Sequence, residues 1–77
     1  MATNVVQAGR YRHWKGRYYE VLGVGVHTET EEEFVVYMDW DRNPDSAYYL
    51  RPLRDFLEAA EVDGRRVPRF VPAPREG

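Results

Sequence analysis

The densest group of residues that could bind a ligand lies between positions 10 and 19. Basic side chains alternate there with aromatic ones: Arg10, Arg12, Lys15 and Arg17 with Tyr11, Trp14, Tyr18 and Tyr19. Positive charge combined with stacking rings is the usual chemistry of single-stranded nucleic-acid binding. Arginine stems that cover aromatic rings also have a purely structural use in small β domains. A sequence pI of about 5.6 disfavours a nucleic-acid-binding domain, which we keep as an alternative.

A second group has residue types suited to a protein partner or a small anionic ligand. Arg51 precedes Pro52, which favours an extended backbone there, and a guanidinium pairs well with carboxylate or phosphate. An internal salt bridge from Arg51 to Glu20 or Glu29 is the competing interpretation, and the sequence leaves both open. The predicted ligand-binding residues are His13, Trp14, Lys15, Tyr19, Glu20, His27, Glu29, Tyr37 and Arg51. Trp40, Tyr48 and Tyr49 are further aromatic residues that could line the same groove.

The residue inventory offers little for catalysis. The chain has no cysteine, and its single serine, Ser46, has no histidine nearby in sequence, so a nucleophile–base pair is not expected. His27 and Glu29 lack the spacing of a metal site, and the stretch from Gly23 to Gly25 lacks the context of a phosphate-binding loop. We therefore predict no catalytic residues, no metal and no cofactor, with an enzyme of unknown type, such as a hydrolase, as the last alternative.

These residues must be positioned by a small, mainly β domain. Alternating aromatic and β-branched residues predict strands, an apolar i, i+3, i+4 pattern predicts a short helix over residues 52–58, and Asp63-Gly64 predicts a hairpin turn. Gly23 and Gly25 interrupt a long strand, which indicates a bulge or bend. We expect a small SH3-like barrel of about five antiparallel strands with one short helix. The domain should span residues 9–71, with flexible ends at 1–8 and 72–77.

Charge is unevenly distributed along the 77 residues. The net charge of −2 combines +4 over residues 1–19, −7 over 20–45, −2 over 46–63 and +3 over 64–77. The basic ends either pair with the acidic middle or form a face that meets an anion. No apolar run approaches the length of a membrane span, and we expect no signal peptide, because residues 1–8 have no basic region and only a short apolar stretch. We therefore expect a cytoplasmic protein that is a monomer or a weak homodimer.

Several ordered motifs also resemble a known family. They are YRHWKG at 11–16, YEVLG at 19–23, HTETEE at 27–32, RPL at 51–53 and VPRF at 67–70, and they resemble the family catalogued as domain of unknown function 1653. Trp14 and Thr28 stand where that family usually has Phe and Ser, and the loop around Pro44 differs. The resemblance implies a bacterial SH3-like module with no assigned role. We expect a non-enzymatic binding module that recognises its ligand through an aromatic and basic face.

Overall fold

The computed structural model describes residues 6–39 and 47–74. These residues form seven strands and one helix, in the order β1 (Gly9–His13), β2 (Tyr18–Val26), β3 (Glu33–Asp39), β4 (Tyr49–Pro52), α1 (Leu53–Leu57), β5 (Ala59–Val62), β6 (Arg65–Pro68) and β7 (Phe70–Pro72). Trp40, the loop around Pro44 and both chain ends (1–5 and 75–77) lie outside the described residues. No helix in the described part of the chain is both long and apolar enough to cross a membrane.

The strands form two antiparallel sheets. Five strands make the larger sheet in the order β4-β3-β2-β1-β7, and β5 pairs with β6 in a separate hairpin. The mainly β class with one short helix is thus confirmed. The expected strand count was too low, since the C-terminal part supplies three strands, and the described residues do not close into a barrel. Strands β4 and β7 remain at the two edges of an open sheet.

Two local predictions from glycine and turn residues are confirmed. The β2–β3 register shifts between Val21 and Gly23, which is a β-bulge at the predicted position. Gly23 has φ 151° there, a conformation that L side chains rarely adopt. Asp63 and Gly64 have φ of 52° and 77°, as a type I′ turn between β5 and β6 requires.

The core lies against one face of the larger sheet, and alternate residues of each strand point towards it. Its buried members are Val6, Tyr11, Val21, Val35, Tyr37, Phe56 and Phe70. Helix α1 contributes Phe56, whose ring stacks on Phe70 with 4.2 Å between centroids and 4° between planes. Tyr11 meets Phe56 edge to face at 5.5 Å. The core is therefore largely aromatic, which gives a short chain much buried area per residue.

Candidate functional site

Five side chains from five different strands meet at one end of the core-facing side of the large sheet. They are His13 of β1, Tyr19 of β2, Tyr37 of β3, Arg51 of β4 and Phe70 of β7. We call this group the aromatic–basic cluster. His13 lies opposite Phe70 in the β1–β7 ladder, so pairing of the first and last strands closes the group.

Ring contacts hold the cluster together. His13 meets Phe70 at 4.9 Å and Tyr19 at 6.3 Å between centroids, both edge to face. Tyr37 lies 5.3 Å from Tyr19 and 6.0 Å from Phe70, again with steep interplanar angles. This is the preferred geometry of aromatic pairs. The rings of Tyr19 and Tyr37 thus pack beside His13 and Arg51 and restrict where these two side chains can lie.

Arg51 is held in the cluster by aromatic residues and has no acidic partner among the described residues. Its Nε donates a hydrogen bond to the Tyr37 hydroxyl at 3.3 Å, and its guanidinium carbon lies 5.7 Å from the centre of the Phe70 ring. Among the described residues, no carboxylate lies within ion-pair distance of Arg51; in particular, neither Glu20 nor Glu29 does. The internal salt bridge that the sequence left open is therefore not formed.

His13 is surrounded by positive charge. Burial lowers the pKa of its imidazole, and the charges of Lys15, Arg51 and Arg69 lower it further. The Lys15 backbone N–H donates to His13 Nδ1 at 3.1 Å. A neutral imidazole whose Nδ1 accepts a hydrogen bond carries its proton on Nε2. His13 is therefore a neutral residue near pH 7, with an Nε2–H group as its donor.

Trp14 and Lys15, in the turn between β1 and β2, lie beside His13. The Trp14 ring lies 5.8 Å from His13, and Lys15 Nζ sits 5.3 Å from the centre of the Trp14 ring. The Trp14 backbone N–H donates to the Arg69 carbonyl at 3.0 Å, which ties the turn to the start of β7. Lys15 and Arg69 therefore flank the cluster and extend its positive charge.

The buried carboxylate of Asp39, beside the cluster, forms an ion pair with an arginine. Asp39 is 5% exposed, and its Oδ2 lies 2.5 Å from Arg17 Nη2. The hydrogen bond and charge of Asp39 raise the pKa of Arg17. Burial raises the pKa of the neighbouring Tyr19 phenol, although Arg17 opposes this. The Asp39 charge is therefore paired, and Tyr19 stays protonated near neutral pH.

Three of the predicted ligand-binding residues lie elsewhere. Glu20 follows inward-facing Tyr19 and therefore points to the opposite face of the sheet. His27 and Glu29 lie in the β2–β3 turn, at the far end of β2 from the cluster. His27 Nδ1 accepts backbone N–H groups of Glu29 and Thr30 at 3.1 and 3.3 Å, so it caps that turn. The described residues contain no group of three side chains able to hold a metal ion.

Sequence reasoning missed Phe70 and Arg69 as members of the site. Phe70 contacts His13, Tyr19, Tyr37 and Arg51, and both missed residues lie in the VPRF motif that carried part of the family resemblance. That motif was the available signal. Its place beside His13 depends on the β1–β7 pairing, which local sequence patterns do not reveal.

The basic and aromatic residues of 10–19 do not share one surface. Tyr11 is buried in the core, and Tyr19 is part of the aromatic–basic cluster. The Arg10 guanidinium covers the Tyr18 ring at 4.5 Å. Single-stranded nucleic acid needs successive accessible rings along a basic groove, so this division does not favour the nucleic-acid alternative.

The described residues thus form a small, mainly β domain with an open antiparallel sheet and the aromatic–basic cluster on one face. The model of the family described as protein of unknown function (DUF1653) matches residues 9–72, and the chain belongs to this family. It is similar to the crystal structure of a family member from Bordetella bronchiseptica, with a TM-score of 0.83 and 30% sequence identity over 99% of this chain and 97% of that one. No curated protein matches the chain significantly.

Proposed function

We propose that this protein is a non-enzymatic binding module whose aromatic–basic cluster holds an anionic group of a protein partner or a small ligand. The observation that carries the proposal is the state of Arg51. Its guanidinium sits in the cluster with no carboxylate in ion-pair distance among the described residues, while Lys15 and Arg69 add positive charge nearby. A cation held without a counter-charge is a natural receptor for a carboxylate or phosphate.

The geometry favours binding because the donors are held in place before the ligand arrives. The Nε–H of Arg51 donates to the Tyr37 hydroxyl. Among the described residues, its two terminal nitrogens have no hydrogen-bond partner and can form a forked hydrogen bond to an anion. His13 offers an Nε2–H donor and needs no added proton to use it. Ordering flexible side chains costs free energy on binding, and the ring contacts have already restricted both residues.

The cluster has weak prospects as a catalytic centre. Tyr19 is the hydroxyl-bearing ring that contacts His13, and burial raises the pKa of its phenol, which makes it a poor nucleophile. Asp39, the nearby buried carboxylate, is paired with Arg17. We therefore propose binding without chemistry, in a protein of the cytoplasm.

An NMR titration tests the proposal. Sodium phosphate and sodium acetate are added to the labelled protein at constant ionic strength, with sodium chloride as the reference. We expect saturable shifts of the backbone amides around Lys15, Arg51 and Arg69. Shifts no larger than those from chloride, or shifts spread evenly over all basic residues, would contradict a specific anion site. A parallel titration with single-stranded DNA at low salt, where counterion release is strongest, tests the nucleic-acid alternative.

A further inference from the structure

Strand β4 forms one edge of the large sheet, and the proposed function does not use that edge. On one side β4 pairs with β3, and no strand among residues 6–39 and 47–74 pairs with its other side. Leu50 of β4 and the adjoining Tyr48 are 64% and 62% exposed, more than any other large apolar residue in the described part of the chain. An unpaired edge with exposed apolar side chains is a site where a further strand can add.

The register of β4 determines which of its backbone groups face this open edge. Pro52 lies opposite Phe34, and since proline has no N–H, these two residues form a non-hydrogen-bonded pair. The two kinds of pair alternate along an antiparallel ladder, so Arg51 and Tyr49 hydrogen-bond to β3, and Leu50 belongs to the next non-hydrogen-bonded pair. The backbone N–H and C=O of Leu50 therefore point away from β3, towards the open edge.

The side chains of β4 are divided between the two faces of the sheet. Tyr49 and Arg51 lie on the core side, where Tyr49 meets Tyr37 at 5.6 Å between ring centroids and Arg51 donates to the Tyr37 hydroxyl. Leu50 lies on the outer face, opposite Val36 of β3. A strand added at this edge would therefore meet an aromatic and a basic residue on one face and a leucine on the other.

We propose that the occupant of this edge is β4 of a second copy of the chain, paired antiparallel about a twofold axis at Leu50. The two Leu50 residues exchange two backbone hydrogen bonds, and their side chains meet on the outer face. Arg51 of each copy lies opposite Tyr49 of the other copy, where a cation–π contact can form. The five strands of each copy join into one continuous sheet, with both aromatic–basic clusters on the same side.

Self-complementarity favours a second copy as the occupant and also determines the register. Leu50 must lie opposite a residue whose backbone groups also face the edge, so the allowed registers differ by two residues. One such shift brings like charges together by placing Arg51 opposite Arg51, and it places the Leu50 carbonyl opposite Pro52, which has no N–H. The opposite shift moves the pairing onto Ala47 and Tyr48, which precede β4. Only the register centred on Leu50 keeps the pairing within β4 and opposes no like charges.

Sedimentation velocity of the full chain tests the association. Protein concentrations from about 10 μM to 1 mM cover dissociation constants up to about 1 mM, and we expect a reversible monomer–dimer equilibrium. Leu50→Lys removes the leucine contact and places two like charges across the twofold axis, so it should weaken dimerisation at least about 10-fold. Leu57→Lys is the matched control, because Leu57 is 54% exposed, lies on α1 and gives the same change in net charge. It should leave the equilibrium unchanged.

A single introduced cysteine tests the register, since the chain has no cysteine of its own. Hydrogen-bonded residues of an antiparallel pair have Cα atoms about 5.5 Å apart, which a disulfide can span, so Leu50→Cys should form a covalent dimer on mild oxidation. Tyr48→Cys, at a position that is 62% exposed, is the control. In the proposed register the two positions 48 lie four strand residues apart, about 13 Å, and should cross-link at least about 10-fold more slowly.

Three results would overturn the inference. A protein that stays monomeric at about 1 mM would show that this edge does not pair with itself. Dimerisation of Leu50→Lys equal to that of Leu57→Lys would place the interface elsewhere, and equal cross-linking rates at positions 48 and 50 would contradict the register. None of these results depends on phosphate binding at the aromatic–basic cluster, so this inference and the proposed function are tested separately.

Discussion

Replacement of Arg51 by Gln separates a binding role from a structural one. The folded protein uses this side chain for one hydrogen bond of 3.3 Å to Tyr37 and one cation–π contact at 5.7 Å from Phe70. The hydrogen bond is long, and each contact is worth about 0.5–1 kcal/mol. Removing Arg51 also removes one of the three positive charges that act on His13. We therefore expect the free energy of unfolding to fall by at most about 1.5 kcal/mol.

The expected effect of the same variant on anion binding is larger. A hydrogen bond to a charged group contributes about 1.5–3 kcal/mol, so Arg51→Gln should weaken phosphate binding roughly 10- to 150-fold. The assays are urea unfolding for stability and an amide NMR titration for affinity. The matched control is Arg54→Gln, which removes the same charge from a side chain that is 78% exposed and lies 3.5 Å from Glu32.

Two results would refute this reasoning. A loss of about 3 kcal/mol or more on Arg51→Gln is the cost of breaking a buried ion pair, and it would make Arg51 a structural residue. An equal loss of phosphate affinity in Arg51→Gln and Arg54→Gln would show that net charge, and not the cluster, attracts the anion.

Three further predictions use the same stability and binding assays. The pKa of His13 is lowered in the folded protein from 6.5, so below about pH 6.5 the unfolded chain binds a proton more readily than the folded protein does. The free energy of unfolding should therefore fall as the pH decreases below about 6.5, and His13→Gln should make this fall smaller. Gly23→Ala should lower the free energy of unfolding by about 1–3 kcal/mol because φ is 151°. At Gly25 a Cβ would make only an ordinary contact at 3.4 Å, so Gly25→Ala should cost less in the same urea unfolding experiment. His27→Ala removes the acceptor of two turn amides and should lower the free energy of unfolding by about 0.5–1.5 kcal/mol without changing phosphate affinity. A loss of phosphate affinity in this variant would indicate that His27 belongs to the binding site.

Local features of this fold could be read from the sequence because their causes are local. Gly23 marks the bulge because few other residues adopt its backbone angle, and Asp63-Gly64 forms the hairpin turn because both residues tolerate positive φ. The short helix follows from the spacing of Leu53, Phe56 and Leu57. In each case a few neighbouring residues determine the conformation.

The composition of the site was only partly predictable. Glu20 neighbours Tyr19 in a strand, and adjacent strand residues face opposite sides, so the alternation already argued against placing both in one groove. The nine residues of β2 carry His27 to roughly 25 Å from Tyr19, and its distance from His13 becomes clear only once strand length and direction are known.

The two features that the sequence did not predict, the place of Phe70 in the cluster and the open sheet, depend on long-range strand pairing. His13 and Phe70 are 57 positions apart and become neighbours only because β7 joins the edge of the sheet beside β1. The separation of β5 and β6 into their own hairpin likewise left the sheet open. Both outcomes follow from which strand edges meet in three dimensions, and periodicity within each segment does not encode that choice.

The pKa of the His13 imidazole, measured by NMR with and without saturating phosphate, tests the central claim most directly. Burial lowers this pKa in the free protein, and positive charge from Lys15, Arg51 and Arg69 lowers it further. An anion bound among the same groups must offset that charge and stabilise the protonated imidazole. We predict that phosphate raises the pKa of His13. A His13 pKa that does not move on addition of phosphate would contradict anion binding at the aromatic–basic cluster.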